Sequence, residues 1–147
     1  MNYKVNIKLL NHEAKIPTYG SACSAGADLY ACLKEAADIA PGEAALIHTG
    51  IAMEIPEGYA GLVFARSGLA AKKGLAPSNK VGVIDSDYRG EIMVSLYNHS
   101  KETRTIEPGE RIAQLVLVPY ITADWTVKEE LEETKRGEGG FGSTGNR

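Results

Sequence analysis

A chain of 147 residues, 44% hydrophobic and 24% charged, has the size and balance of one globular domain that buries a core of its own. Its formal net charge of −3 excludes a broad basic surface for a long nucleic acid, yet a small polyanion can still be held where a few cations and backbone N–H groups converge. Met1 to Leu10 alternates polar and apolar residues without the apolar stretch of a signal peptide, and no run reaches the length of a membrane span.

Strand signals dominate in chain order. Val5, Ile7 and Leu9 alternate with Asn6 and Lys8, and short apolar or β-rich runs follow at Leu62 to Phe64, Ile92 to Val94 and Ile112 to Val118. Turn residues punctuate them at Pro41-Gly42, Pro56-Glu57-Gly58, Ser86-Asp87 and Pro108-Gly109. This spacing predicts an all-β sandwich or barrel. One short helix is expected over Ser67 to Lys73, stopped by Gly74. Cys23 and Cys32 lack CxxC spacing or partner histidines, as expected for reduced thiols in a cytoplasmic protein. His12, His48 and His99 are scattered and show no metal-ligand spacing.

Chemistry concentrates in five places. Ala25 to Leu29 puts Asp28 at a strand edge, where an aspartate caps a turn or holds a hydrated cation. Arg66-Ser67-Gly68 opens the predicted helix, where unpaired N–H groups, a hydroxyl and a guanidinium suit phosphate. Taken alone, the segment reads more simply, with Ser67 a plain helix cap and Arg66 a surface residue. Gly82 to Gly90 ends a β-branched run on Asp85, turns through Ser86 and Asp87, then presents Tyr88 and Arg89. A turn needs Asp, Ser and Gly, not a ring and a cation beside them. Gln114 is a polar amide inside an apolar strand and needs either a backbone partner or a ligand. Arg136 to Gly145 carries five glycines among Arg136, Phe141, Ser143 and Thr144. Such a tail cannot fold alone, but its backbone N–H groups can close on an anion.

Together and in this order, Ala25–Leu29, Arg66–Ala70, Gly82–Glu91, Gly109–Leu115 and Arg136–Gly145 closely resemble the five motifs of the trimeric dUTPases (deoxyuridine triphosphate nucleotidohydrolases). The resemblance runs over nearly the whole chain. It implies a jelly-roll-like β-barrel over residues 1–135, a glycine-rich arm over 136–147 that completes the site of a neighbour, and a homotrimer with shared active sites. It implies Mg²⁺-assisted hydrolysis of dUTP to dUMP and pyrophosphate, which keeps uracil out of DNA and supplies dUMP for thymidylate synthesis.

By the same resemblance, Asp85 is the base that deprotonates the water attacking the α-phosphorus, and Asp28 contacts Mg²⁺ through water. Arg66, Ser67, Gly68 and Gln114 hold phosphates, while Arg136, Gly142, Ser143 and Thr144 close over the β- and γ-phosphates. Asn79 and the backbone of Gly82, Val83 and Ile84 meet the uracil edge. Tyr88 packs beneath the deoxyribose, Phe141 covers the base, and Met93 lies where the family strand sometimes touches substrate.

Three rivals are weighed. The dCTP deaminases share a related fold, but their third motif reads Asp-Pro-Gly-aromatic where this chain has Asp85-Ser86-Asp87-Tyr88. Ser95 also stands at the place of their catalytic glutamate. A nucleotide-binding regulatory module has no need of both Asp85 and Asp28. A purely structural β-trimer leaves Arg66, Asp85, Tyr88 and Phe141 unexplained.

Overall fold

The computed structural model describes residues 3–140. Its strands are β1 (Asn6–Leu9), β2 (Thr18–Tyr19), β3 (Ala27–Tyr30), β4 (Ala37–Ile39), β5 (Ala44–His48), β6 (Ile51–Glu54), β7 (Tyr59–Phe64), β8 (Leu75–Pro77), β9 (Gly82–Ile84), β10 (Met93–Asn98), β11 (Arg104–Ile106) and β12 (Arg111–Pro119). Helix α1 spans Ser67–Lys73, as the sequence predicts, and Gly74 ends it in the left-handed conformation with its N–H bonded back to the last turn. The all-β expectation with a single short helix therefore holds.

All pairing is antiparallel and divides into four ladders: β1–β6, β5–β10–β8, β11–β4, and the five-stranded β2–β3–β12–β7–β9. Short strands with alternating side chains put one face inward. β10 shows this cleanly, with Val94, Leu96 and Asn98 buried between more exposed neighbours. Leu29, Ile39, Ile47, Ile51, Leu75, Leu96, Ile106 and Ile112 are buried almost completely and form one core that all four ladders share. Each such side chain contributes about 1.5–3 kcal/mol on leaving water. Asn98, the large polar exception, donates to the carbonyls of Ile39 and Glu102 and accepts from the N–H and hydroxyl of Ser100.

The five-stranded ladder positions the chemistry. Within β12 the register against β3 shifts between Arg111 and Ala113, so Arg111 faces Tyr30 and Gln114 faces Asp28. Without this bulge, residues three apart would point to opposite sides of the strand. With it, Arg111 and Gln114 share the outward face, while Ile112 and Ala113 are both buried. Beyond β12 the chain leaves the sheet. Residues 120–140 join no strand or helix, and Ile121, Trp125, Val127 and Leu131 are at least 86% exposed.

Candidate active site

The outward face of the large ladder carries a cavity of about 570 Å³ lined by Asp28, Phe64, Arg66, Arg111, Gln114 and the Gly20–Gly26 approach. Gln114 stands between Asp28 on β3 and Phe64 on β7, so three strands present side chains at one level. Arg66, just past the end of β7, donates its Nε–H to Asp28 Oδ1 at 2.7 Å, and Arg111 Nη1 reaches Oδ2 at 3.2 Å. Asp28 is mostly covered while Arg111 is half exposed. Two guanidiniums converging on one carboxylate leave a net positive pocket. Gln114 donates to the Ala65 carbonyl at 3.1 Å, so its amide satisfies a backbone group and still lines the cavity. Gly26 makes this possible, since a Cβ there would sit 2.5 Å from Gln114 Oε1.

At the mouth of this cavity α1 begins. Arg66 is its cap residue with extended backbone and makes no side-chain cap bond, so Ser67 is the first helical residue rather than the cap. Ser67 and Gly68 are exposed, and a side chain at Gly68 would meet open space. The fold itself therefore does not require glycine at that position.

A second cavity, of about 240 Å³, lies under the 79–93 hairpin and is lined by Asn79, Gly82, Val83, Ile84, Tyr88, Glu91, Met93 and Ser95 among others. Lys80 holds φ of 67°, the single non-glycine residue in the left-handed region among those described. It sharpens the turn that carries Asn79 over Gly82. Gly82 packs closely here, since a Cβ would crowd Val63 at 3.3 Å. The far turn is braced locally: Tyr88 N–H donates to the Asp85 carbonyl, and Arg89 Nη1 donates to the carbonyls of Ser86 and Tyr88. Asp85 is exposed, and its carboxylate makes no hydrogen bond or ion pair among the described residues. Tyr88 turns its hydroxyl onto the Glu91 carbonyl at 2.9 Å.

Glu91 is the titratable group of this cavity with a shifted pKa. Burial pushes its carboxyl up, but hydrogen bonds from His48 and the Gly50 N–H outweigh that and hold it below its ordinary value.

A family model described as dUTPase matches residues 12–145. The chain belongs to the dUTPase family. It is 52% identical over 147 residues to the deoxyuridine 5'-triphosphate nucleotidohydrolase of Acinetobacter baumannii, spanning 97% of this chain and 98% of that relative. Among solved structures, the dUTPase of Staphylococcus bacteriophage 80alpha with dUpNHpp superposes with a TM-score of 0.85 at 33% identity, over 98% of this chain and 99% of that one. A dUTPase from phage phi11 of S. aureus, described for the coordination of a structural Mg(II) ion, matches with a TM-score of 0.80 at 29% identity, over 89% of this chain and all of that one.

Set against the five dUTPase motifs, the chain gathers its expected site residues in two groups. Asp28, Arg66 and Gln114 line one cavity, with Ser67 and Gly68 at its mouth. Asn79, Gly82, Val83, Ile84, Tyr88 and Met93 line the other, with Asp85 on the adjoining turn. The two cavities share no lining residue. Ile84 lies opposite Gly61 near the start of β7, whereas Arg66 lies past its far end. Asp85 and Arg66 are therefore separated by roughly 15 Å or more along the ladder. Arg136 folds onto its own segment, donating to the Gly139 carbonyl at 2.8 Å. Phe141, Gly142, Ser143 and Thr144 lie outside the described residues. Two residues that line these cavities are not singled out by the sequence. Arg111 sits inside the fourth motif, but only the bulge turns it toward Asp28. Glu91 ends the third motif, but its importance depends on the distant His48–Gly50 turn.

As to metal, no cluster of three or more acidic, histidine or cysteine side chains forms among the described residues. Asp28 is the single carboxylate of its cavity, and guanidiniums engage both its oxygens. This donor set does not suit an all-protein cage. It suits Mg²⁺ held mainly by water and substrate phosphates, with one carboxylate contributing from outside.

Proposed function

We infer that the chain hydrolyses dUTP to dUMP and pyrophosphate in a site that copies of the chain complete for one another. The observation that carries this reading is the split itself. One cavity presents cations and amides suited to a triphosphate, while the other offers a backbone edge, an aromatic ring and an unpaired carboxylate suited to a nucleoside and a water. A triphosphate bridging the two requires the hairpin of one copy to face the outward sheet of another. A homotrimer is the closed arrangement that the family resemblance implies.

In this reading Asp85 takes a proton from water as its oxygen bonds to the α-phosphorus. The bond from that phosphorus to the bridging oxygen then breaks, and pyrophosphate leaves. A carboxylate free of other partners is available for this work. Arg66, Ser67, Gly68 and Gln114 hold the phosphate chain, and positioning with charge neutralisation supplies most of the catalysis. Asp28 holds Mg²⁺ through water, and the ion when bound neutralises charge on the phosphates. The open space at Gly68 supports close approach of a phosphate to its N–H. Asn79 and the main chain of Gly82, Val83 and Ile84 pair with uracil, whereas cytosine would leave buried polar groups unmatched. Tyr88 lies beneath the deoxyribose, and Met93 borders the same cavity. Arg136, Phe141, Gly142, Ser143 and Thr144 cover the ligand from the arm of residues 136–147.

Assembly finds support in the outward segment with exposed Ile121, Trp125, Val127 and Leu131. It also finds support in an apolar groove of about 860 Å³ lined by Tyr3, Val5, Ile7, Met53, Tyr59 and Leu117 among others. The location implied is the cytoplasm, where product dUMP is available for thymidylate synthesis.

Pyrophosphate release from dUTP, UTP, dTTP and dCTP, each with and without Mg²⁺, tests the reading. Release from dUTP that depends on Mg²⁺ is expected. Ammonia from dCTP would install the deaminase reading instead, although Ser95, bonded to Ser78 at 2.8 Å, offers no carboxylate for it.

A further inference from the structure

Tyr88 is 44% exposed, so packing alone does not hold its ring in place. What holds it lies two steps away. Its hydroxyl donates to the Glu91 carbonyl, and its ring lies so close over Gly90 that a Cβ there would meet Cζ at 2.6 Å. The Glu91 carbonyl is in turn fixed by its own side chain. Oε1 accepts the Gly50 N–H at 2.8 Å and Oε2 meets His48 Nδ1 at 2.9 Å. The next residue continues the attachment: Ile92 N–H donates to the Ile51 carbonyl, and the Thr49 hydroxyl donates to the Ile92 carbonyl.

The 48–51 turn that receives these bonds is closely packed over its last three residues. Thr49, Gly50 and Ile51 are buried. Gly50 has φ of 68°, and a Cβ on it would lie 2.8 Å from both Cys32 Sγ and Ala14 Cβ, so position 50 is fitted to glycine. A carboxylate with both oxygens bonded to such a base is a strong anchor.

We propose that Glu91 is a positioning residue that fixes Tyr88 against the 48–51 turn and so sets discrimination between deoxyribo- and ribonucleotides. The proposal rests on the dUTP reading above and extends it to a residue at the edge of the same cavity whose effect runs through Tyr88. Glu91 acts through its main-chain carbonyl, and its side chain keeps that carbonyl still.

The experiment compares Glu91→Ala, Glu91→Gln and His48→Ala for kcat, KM and Tm with dUTP and UTP, and repeats Glu91→Ala in a Tyr88→Phe background. Glu91→Ala is expected to raise KM for dUTP and lower the dUTP/UTP preference, each about tenfold, the scale of one charge-assisted hydrogen bond, with kcat little changed. Glu91→Gln keeps an acceptor for Gly50 and recovers most of the preference, and His48→Ala has the smaller effect. In the Tyr88→Phe background, which lacks the hydroxyl, Glu91→Ala adds little further loss. A lower Tm with an unchanged dUTP/UTP ratio, or losses that add fully in the double variant, overturns the proposal. A second readout is independent of turnover: NMR of ring-labelled tyrosine, with Tyr88 assigned from Tyr88→Phe. Glu91→Ala should move the Tyr88 signal toward that of a free ring, and an unmoved signal overturns the proposal. Wild-type protein that releases no pyrophosphate from dUTP, yet shows this ring response, sinks the substrate reading and leaves the Glu91–Tyr88 linkage standing.

Discussion

The two cavities of this chain are built on different principles. The outward cavity is a charged junction, where Asp28 ties Arg66 and Arg111 together across neighbouring strands before any ligand arrives. Arg66 uses only its Nε–H and Arg111 only one Nη1 contact in these pairs, so further N–H donors of both guanidiniums remain for an anion while the carboxylate holds them in place. The hairpin cavity is held by backbone geometry: Lys80 in the left-handed region, Gly82 against Val63, and Tyr88 folded over Gly90. On the adjoining turn the Asp85 carboxylate makes no hydrogen bond or ion pair among the described residues. Binding strength can therefore reside in the first cavity and recognition with proton transfer in the second.

The sharpest way to break this division is to damage one cavity in each of two proteins. Asp85→Asn should leave nucleotide affinity nearly intact while lowering kcat by ~10²–10⁴, the range for losing a general base. Arg66→Ala should instead weaken binding. Mixing the two variants under conditions that exchange subunits should restore part of the activity, because some sites then join an intact hairpin to an intact outward cavity. Absence of any recovery in verified mixed oligomers would place both cavities' work within one chain.

Removing residues 137–147 should lower turnover by about a hundredfold or more, in line with loss of ligand enclosure. Tm should hardly change, because residues 120–136 before the cut already lie outside every strand. Equal loss of turnover and Tm would make that arm part of the structural frame. Tyr88→Ala is expected to act more narrowly, lowering the dUTP/UTP preference about ten- to a hundredfold through the lost steric wall. Parallel steady-state assays with the two nucleotides measure it.

The contrast between the cavities also explains what the sequence made legible. Alternation and turn residues revealed β1, β7, β10 and β12, and Gly74 marked the end of α1 correctly. Strands of two or three residues, such as β2, β4, β8 and β11, are too short to show a period of two, and only their tertiary partners define them. The hairpin was legible because Asp85, Tyr88 and Arg89 exceed what a turn needs. Arg111 was not, because one extra residue in β12 decides its face, and no residue type announces a bulge of that kind. Glu91 was hidden for another reason. Its partners His48 and Gly50 lie about forty positions earlier in the chain, and only the β5–β10 register, with Met93 opposite His48, brings them together.

The smallest expected effect concerns the anchor of the hairpin cavity and appears only in acid. Because the fold holds the Glu91 carboxyl below its ordinary value of 4.5, the folded state favours the ionised form. Its stabilising contribution is thus complete above that value and disappears as pH falls through the lower, folded-state value. Glu91→Gln removes this titration while keeping an acceptor for the Gly50 N–H. The Tm difference between wild type and Glu91→Gln, followed from about pH 6 to about pH 3, should therefore be largest at the upper end and shrink toward the lower. His48 supplies part of the bond but its side chain is half exposed, so added salt should reduce the difference without abolishing it. A difference that stays constant over this range would mean that the His48 and Gly50 contacts do not favour the charged carboxylate.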